Sequence, residues 1–285
     1  MLKWTIGDVT VTRILELEAT GGSRFILPQA TPEVIREIGW LAPHFADETG
    51  RLKMSVQALV VETPSKRIIV DTCIGNDKQR DIPTWSNLQT SFLSDLQAAG
   101  FPPESFDVVL CTHLHVDHVG WNTRLAEGRW LPTFPNARYL IGRAEFDYWK
   151  AEEDAREDHS RSPFHDSVAP VFEAGLVDLV ETDHRVCDEV SLEPTLGHTP
   201  GHVSIRLRSK GQEALITGDF THHPCQLAHP EWASSADYDA VASTATRKRM
   251  YGALAGAQTL VIGTHFSAPT AGRIVADGQV WRFAV

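Results

Sequence analysis

The sequence predicts an α/β protein in which two β-sheets pack face to face and helices cover their outer faces. Three observations support that class. Apolar, β-branched runs of strand length make two mostly β halves, with helical stripes between them. At four places a strand ends and His or Asp follows within a few residues: Asp71, His113 to His118, Asp219 and His265. His202, just before a strand, is a fifth such group, and strand-end loops of this kind would meet at one edge of a sandwich. Finally, 285 residues with 42% hydrophobic and 22% charged content can bury a sizeable core. No repeat or low-complexity linker divides the chain, so residues 1–285 are expected to form one domain.

The elements follow in order. Residues 4–18 alternate loosely through Ile6, Val9, Val11, Ile14, Leu15 and Leu17 and read as two strands, broken by Gly21 and Gly22. From 25 to 50 the pattern is irregular around Pro28, Pro32 and Pro43, with a short helix at 32–38; the stretch reads either as a lid near a site or as surface packing. Strands return at 56–62 and 67–70, the second running into Asp71 and Thr72 before a turn at Gly75. Asn87 is the candidate N-cap of a stripe formed by Leu88, Phe92, Leu93 and Leu96, which Gly100 ends. The strand at 106–111 delivers a histidine cluster. Beyond it come a strand at 137–141, a helix at 145–153 with Phe146 and Trp149 inward, a charged, exposed segment at 156–162 that makes His159 solvent-facing, and a helix at 167–174. Strands follow at 176–181, 190–195, 203–208 and 214–217, the last ending at Gly218 and Asp219. Residues 235–257 read as a helix and 259–262 as a strand that leads to His265; 273–276 and 279–283 read as a hairpin around Asp277 and Gly278.

Charge narrows the partners. The formal net charge is −11, with no run of Lys or Arg able to track a phosphate backbone, so nucleic acid and anionic membrane are poor partners. The first eight residues hold no apolar signal-like run, and no apolar stretch approaches the ~18 residues of a membrane span. The cysteines, Cys73, Cys111, Cys187 and Cys225, are far apart and read as free thiols of a reducing, cytoplasmic protein.

The chemistry concentrates at His113, His115, Asp117 and His118. In an extended segment alternate side chains share a face, so His113 and His115 point together off the strand end; Asp117 and His118 follow as the chain curls towards Gly120. Three imidazoles and a carboxylate within six residues are costly to bury without a cation, and that donor set suits zinc-like metals. A solvated, His-rich loop is the plainer alternative.

These residues, taken with His202 in Thr-Pro-Gly-His, Asp219 after Gly218, His265 after Gly-Thr and the upstream Asp71-Thr72, resemble the metallo-β-lactamase superfamily over nearly the whole chain. The resemblance implies an αββα sandwich of two mixed sheets flanked by helices, with two adjacent divalent metal ions, zinc foremost and Mn, Fe or Co also compatible. Carried over by position, His113, His115 and His202 would hold one ion, Asp117, His118 and His265 the other, and Asp219 would bridge both with a hydroxide. Asp71 would orient a ligand. His198 reads as structural. The implied reaction is hydrolysis, with Asp117 passing a proton to the leaving group.

The substrate is read less directly. Three residues after Asp219 some acyl-homoserine lactonases of the superfamily carry tyrosine; here His222 stands there. Together with the run from Gly263 to Gly272, this resembles the acyl-homoserine lactonase and methyl-parathion hydrolase branch, and His222 could donate to the substrate oxygen. His223 and His229 read as loop histidines. The expected activity is opening of a lactone or cleavage of a related ester, in a pocket lined from 25–50, Trp85, Trp121 and Phe266. A phosphotriester hydrolase, a β-lactamase and, from another class, a metal-dependent nuclease are the alternatives. Exposed aromatics in 25–50 would suit a homodimer.

Overall fold

In the computed structural model, which describes residues 1–285 apart from the side chain of Ser23, the chain lays down its strands in two groups. β1 (Lys3–Ile6), β2 (Val9–Thr20), β3 (Lys53–Glu62), β4 (Arg67–Val70) and β5 (Val108–Leu110) come first. A separate hairpin of β6 (Thr123–Ala126) and β7 (Arg129–Pro132) precedes β8 (Arg138–Gly142) and β9 (Val177–Val180). All but that hairpin form a seven-stranded sheet in the order β1-β2-β3-β4-β5-β8-β9, antiparallel up to β4 and parallel from there on. The second sheet follows chain order: β10 (Val190–Pro194), β11 (Val203–Ser209), β12 (Gln212–Ile216), β13 (Leu260–Ile262), β14 (Ala271–Asp277) and β15 (Val280–Ala284). Only its β12–β13 pair is parallel, so both sheets are mixed.

Period-two alternation sorts the side chains into layers. Ile68 and Val70 of β4, with Val108 and Leu110 of β5, face Val203, Ile205, Leu207 and Ile216 of the other sheet, making the core between the sheets. The intervening Ile69 and Val109 turn the other way, onto α2 (Phe92–Ala98), α3 (Arg143–Asp154) and α4 (Ala169–Glu173) through Phe92, Leu96, Phe146 and Val171. Leu215 and Val261 cover the outer face of the second sheet, where α1 (Pro32–Glu37), α5 (Cys225–Ala228) and α6 (Ala240–Leu254) contribute Ile35, Leu227, Met250, Tyr251 and Leu254. The result is the αββα order of layers expected from the sequence.

Several boundaries differ from the expectations, for local reasons. α2 begins at Phe92, because Asn87 sits in a turn with φ 53 and its N–H donates to the Lys78 carbonyl. α6 begins at Ala240, capped by the Asp239 carboxylate on the N–H groups of Val241 and Ala242, both at 2.9 Å. The 167–174 helix is a π-turn, Phe164–Val168, running into α4. The two-residue loop of the last hairpin is one position later than expected, at Gly278 and Gln279. The β6–β7 hairpin was not anticipated; its turn uses Glu127 and Gly128, both with positive φ. Among the described residues no helix is long and apolar enough to cross a membrane.

Candidate metal centre

Four strand ends deliver the polar groups to one place. After β4, the Asp71 carboxylate accepts from the Thr112 N–H (2.8 Å) and from His118 Nδ1–H (3.0 Å). After β5, the loop carrying His113, His115, Asp117 and His118 is pinned from behind. The N–H of Thr72 donates to the His118 carbonyl at 2.7 Å, and that of Gly120 to the Cys73 carbonyl at 2.7 Å. Only glycine fits at 120, since a Cβ there would lie 1.8 Å from the Ile74 carbonyl oxygen. After β12, Gly218 adopts φ 56 and turns the chain so that Asp219 faces the cluster. After β13, His265 donates from Nδ1 to the Ser55 carbonyl at 2.8 Å.

Histidine tautomers fall out of these bonds. His113 gives Nδ1–H to Thr112 Oγ1 (3.0 Å), and His198 gives Nδ1–H to Asp237 Oδ1 (2.8 Å). With His118 and His265 treated alike, four buried rings turn their Nε2 atoms towards a common centre, where His115 presents Nδ1. Asp219 Oδ2 occupies that centre. It lies 3.8 Å from His113, 3.3 Å from His118, 3.6 Å from His198, 3.3 Å from His222 and 3.2 Å from His265, each measured to Nε2. Asp117 closes the far side, 3.7 Å from His118 Nε2 and 3.6 Å from His265 Nε2.

One expected residue does not belong. His202 sits beside the start of β11, where its carbonyl accepts from the Thr195 N–H, and its ring lies between the Thr195 carbonyl and the Asp219 N–H. Both ring nitrogens are spent: Nδ1–H donates to the Thr195 carbonyl (3.0 Å), and Nε2 accepts the Asp219 N–H at 2.7 Å. The third imidazole beside His113 and His115 is His198, taken from sequence as structural. Both histidines lie in the β10–β11 connection four residues apart. Only the turn geometry decides which one is at the loop tip and which is tied into the strand. Asp237, which holds His198, was also missed as a site residue. It lies in the turn before α6, with no strand end beside it to mark it.

The charges sort by burial and neighbours. Burial holds the imidazoles of His113 and His198 well below the ordinary histidine range, and that of His115 down to about 4, so these rings offer neutral lone pairs. For His118 and His265 burial pulls the same way. The carboxylates outweigh it: Asp219, Asp71 and Asp117 raise His118, while Asp219 and Asp117 raise His265 to about 9. Asp219 is held well below the carboxylate range despite its burial by His265, His118 and His222. Its Oδ1 and both nitrogens of the buried His222 have no hydrogen-bond partner. Orphaned buried polar atoms beside three neutral imidazoles, two carboxylates and two rings on which those carboxylates favour a positive charge are the donor chemistry of divalent cations such as zinc, whose charge would take the place of those protons. The residues fit such ions.

Above the cluster opens a cavity of about 570 Å³. Its floor is His115, Asp117, His198, Asp219, His222 and His265; its walls are chiefly apolar, with Leu17, Phe25, Ile26, Met54, Val56 and Trp85. Trp85 and the start of the 25–50 stretch line it as expected. Trp121 and Phe266 do not: Trp121 stacks on Phe92 (5.8 Å), and Phe266 is packed between Phe45 and Phe283. His223 and His229 are structural. The first donates from Nε2 to the Phe45 carbonyl at 2.8 Å, and the second stacks on Trp232 at 4.1 Å.

Comparison with known proteins places this geometry. The profile of the metallo-beta-lactamase superfamily matches residues 52–252. An N-acyl homoserine lactonase from a Bacillus species is 25% identical over 185 residues, 60% of this chain and 66% of that protein, so the match spans just under two thirds of the relative. The N-acyl homoserine lactonase AttM of Rhizobium radiobacter is 29% identical over 128 residues, 44% of each chain. Among solved structures, the hydrolase AbOPH of the beta lactamase superfamily superposes with a TM-score of 0.80 at 23% identity, covering 99% of this chain and 96% of that one. AidC, a dizinc quorum-quenching lactonase in complex with an N-acyl-homoserine product, superposes with a TM-score of 0.78 at 20% identity, covering 99% and 95%. At these identities the structural likeness is one of fold.

Proposed function

The chain belongs to the metallo-β-lactamase superfamily, and from that premise we propose that it is a dinuclear metal-dependent hydrolase that opens a neutral lactone, of which N-acyl-homoserine lactones are the leading class. The observation that carries the reading is Asp219 Oδ2, central to five imidazole nitrogens at 3.2 to 3.8 Å. His113, His115 and His198 would hold one ion, Asp117, His118 and His265 the other, and Asp219 both. When bound, such a pair of cations makes water a nucleophile at neutral pH and polarises the carbonyl to be attacked.

The chain's own side chains do the rest. Asp71 and Asp237 fix the rings of His118 and His198 by their Nδ1–H groups. Asp117 reaches the cavity floor and is placed to take the proton that the attacking water loses and pass it to the alkoxide formed when the ring opens. His222, with both ring nitrogens free, is placed to hydrogen-bond the substrate oxygen. The apolar walls take up an acyl chain and keep bulk water from the reacting ester.

The cavity also ranks the alternatives. Among the described residues lining it there is no Lys or Arg, while Glu18, Asp117 and Asp219 are acidic. A β-lactam carrying a carboxylate would meet no cationic side chain on the walls, only acidic ones besides the proposed metal pair, whereas a lactone or a phosphotriester is neutral and needs none. Rates on an acyl-homoserine lactone, an aryl lactone, a paraoxon-type triester and a penicillin test the reading. The acyl-homoserine lactone should be fastest and the penicillin slowest; a triester turned over faster than every lactone would reassign the substrate class.

A further inference from the structure

A second cluster of metal-ligating groups lies outside the centre just described. Glu153, in the last turn of α3, is only 8% exposed. Its Oε1 is 2.6 Å from His159 Nδ1 and 4.0 Å from His165 Nδ1; its Oε2 accepts from the Ser162 hydroxyl, with Arg156 Nε at 3.8 Å. The His159 and His165 rings lie 5.7 Å apart, tilted by 31°. The three candidate ligand atoms fall within 4.8 Å of one another. His159 satisfies the carboxylate oxygen by itself, and His165 is too distant to hydrogen-bond to it. A nitrogen 4.0 Å from an almost buried carboxylate, beside a second imidazole, leaves a span that two metal–ligand bonds of about 2 Å can bridge.

We propose that Glu153, His159 and His165 form an additional binding site for a zinc-, nickel- or copper-type divalent cation, separate from the main centre. Two imidazoles and one carboxylate are a donor set these ions prefer over calcium or magnesium. On occupancy the His159 Nδ1 lone pair turns to the ion in place of the bond to Glu153, with the ring N–H on Nε2. Both rings are about half exposed, so the remaining coordination positions face water. None of the three residues lines the large cavity. Bound there, the ion ties the 159–165 segment to the end of α3, the helix whose Glu145 accepts the N–H groups of Leu114 (3.0 Å) and Gly201 (2.9 Å) beside the main centre.

The test is a metal count. Protein dialysed against micromolar Zn²⁺ and analysed by native mass spectrometry should carry one ion more than the His159→Gln/His165→Gln variant. The wild type should also show a Zn²⁺-dependent rise in melting temperature that persists after the main centre is filled and is absent in the variant. Hydrolysis of the preferred ester should be equal in the two. The single variant His165→Gln keeps the His159–Glu153 bond and serves if the double variant melts early in chelator. Equal ion counts in wild type and variants, or an extra ion bound only at millimolar metal, would overturn the proposal. A failure of the lactone reading would instead appear as absent lactone hydrolysis with the difference of one ion intact.

Discussion

Two carboxylate–imidazole pairs support the candidate centre, one from each half of the chain. Asp71 holds His118 at 3.0 Å, and Asp237 holds His198 at 2.8 Å. Their surroundings differ. Asp71 stands at a strand end and is also gripped by Thr112, on the loop it positions. Asp237 stands in an irregular turn and takes the Ser234 N–H at 3.0 Å. The buried Arg247 lies 3.9 Å away, itself held by the carbonyls of Pro230 and Phe220. One half therefore positions its imidazole through the regular sheet, and the other through a loop braced by a buried cation. Similar geometry is reached by two routes, of which only the first follows from strand periodicity.

The largest effect should separate His198 from His202. His198→Ala should lose one metal ion by native mass spectrometry and at least ~100-fold in kcat/KM. His202→Ala should keep its ion count and lose stability instead, by about 1–3 kcal/mol for the unpaired Asp219 N–H and Thr195 carbonyl. If His202→Ala sheds the ion and His198→Ala does not, the assignment from geometry is wrong. Asp219→Ala should lose more than either histidine variant, in both ions and activity, because that carboxylate is shared.

Next come the two carboxylates. Asp71→Asn and Asp237→Asn should each weaken metal binding about 10–100-fold in a chelator competition, since each amide can no longer fix the Nδ1–H tautomer. Equal losses would show that a loop braced by Arg247 positions a ligand as firmly as a sheet does. An unchanged affinity in Asp237→Asn would reduce that contact to packing.

This contrast also explains what was legible in the sequence. The two-sheet fold follows from alternation that any reader can count, as at Ile68, Ile69 and Val70, whose odd and even members face different cores. His113, His115, Asp117 and His118 are visible because they crowd six residues after a strand. Asp71, Asp219 and His265 follow strands too. His198 was passed over because it and His202 share one loop, and the deciding hydrogen bonds, from Asp219 and to Thr195, are contacts between distant segments. Asp237 was assigned to a helix on propensity, but its carboxylate is drawn into bonds with Ser234 and His198, and the helix starts after it. Trp121 and Phe266 carried no sequence mark that distinguishes a core ring from a pocket ring.

The cavity sharpens the comparison in a smaller way, because its apolar walls come from the first half: Leu17, Phe25, Ile26, Met54, Val56 and Trp85. Removing the ring in Trp85→Ala, which also frees the edge of Phe25 packed on it at 6.3 Å, should raise KM for long acyl chains while leaving kcat nearly unchanged. About 1–2 kcal/mol of lost burial corresponds to roughly 5–30-fold in KM. His222→Gln should do the reverse, lowering kcat with little change in KM. An unchanged KM for long chains in Trp85→Ala would mean the acyl group does not lie along this wall.

The smallest effect concerns the cations behind the two halves. The first half has Lys78, fully buried, with Nζ 2.8 Å from Thr123 Oγ1 and 3.4 Å from Asp166, close behind the Gly75–Gly120 contact. Burial disfavours its charged form, and its pKa falls from 10.5 to about 8 although Asp166 pulls the other way. Below about pH 8 the lysine is protonated in both folded and unfolded chains, and the cost of burying the charge is fully present. Between about 8 and 10.5 the unfolded chain binds the proton more, so this group's contribution to stability rises with pH, by at most about 1.4 kcal/mol per pH unit. Its counterpart in the second half is Arg247, whose guanidinium is held by the carbonyls of Pro230 and Phe220. Urea melts between pH 7.5 and 10 should therefore show a less positive slope of stability with pH in Lys78→Met than in the wild type. Parallel curves for Lys78→Met and wild type would mean that Asp166 and Arg80, 2.6 Å apart, already set the charge balance there and that Lys78 titrates outside this window.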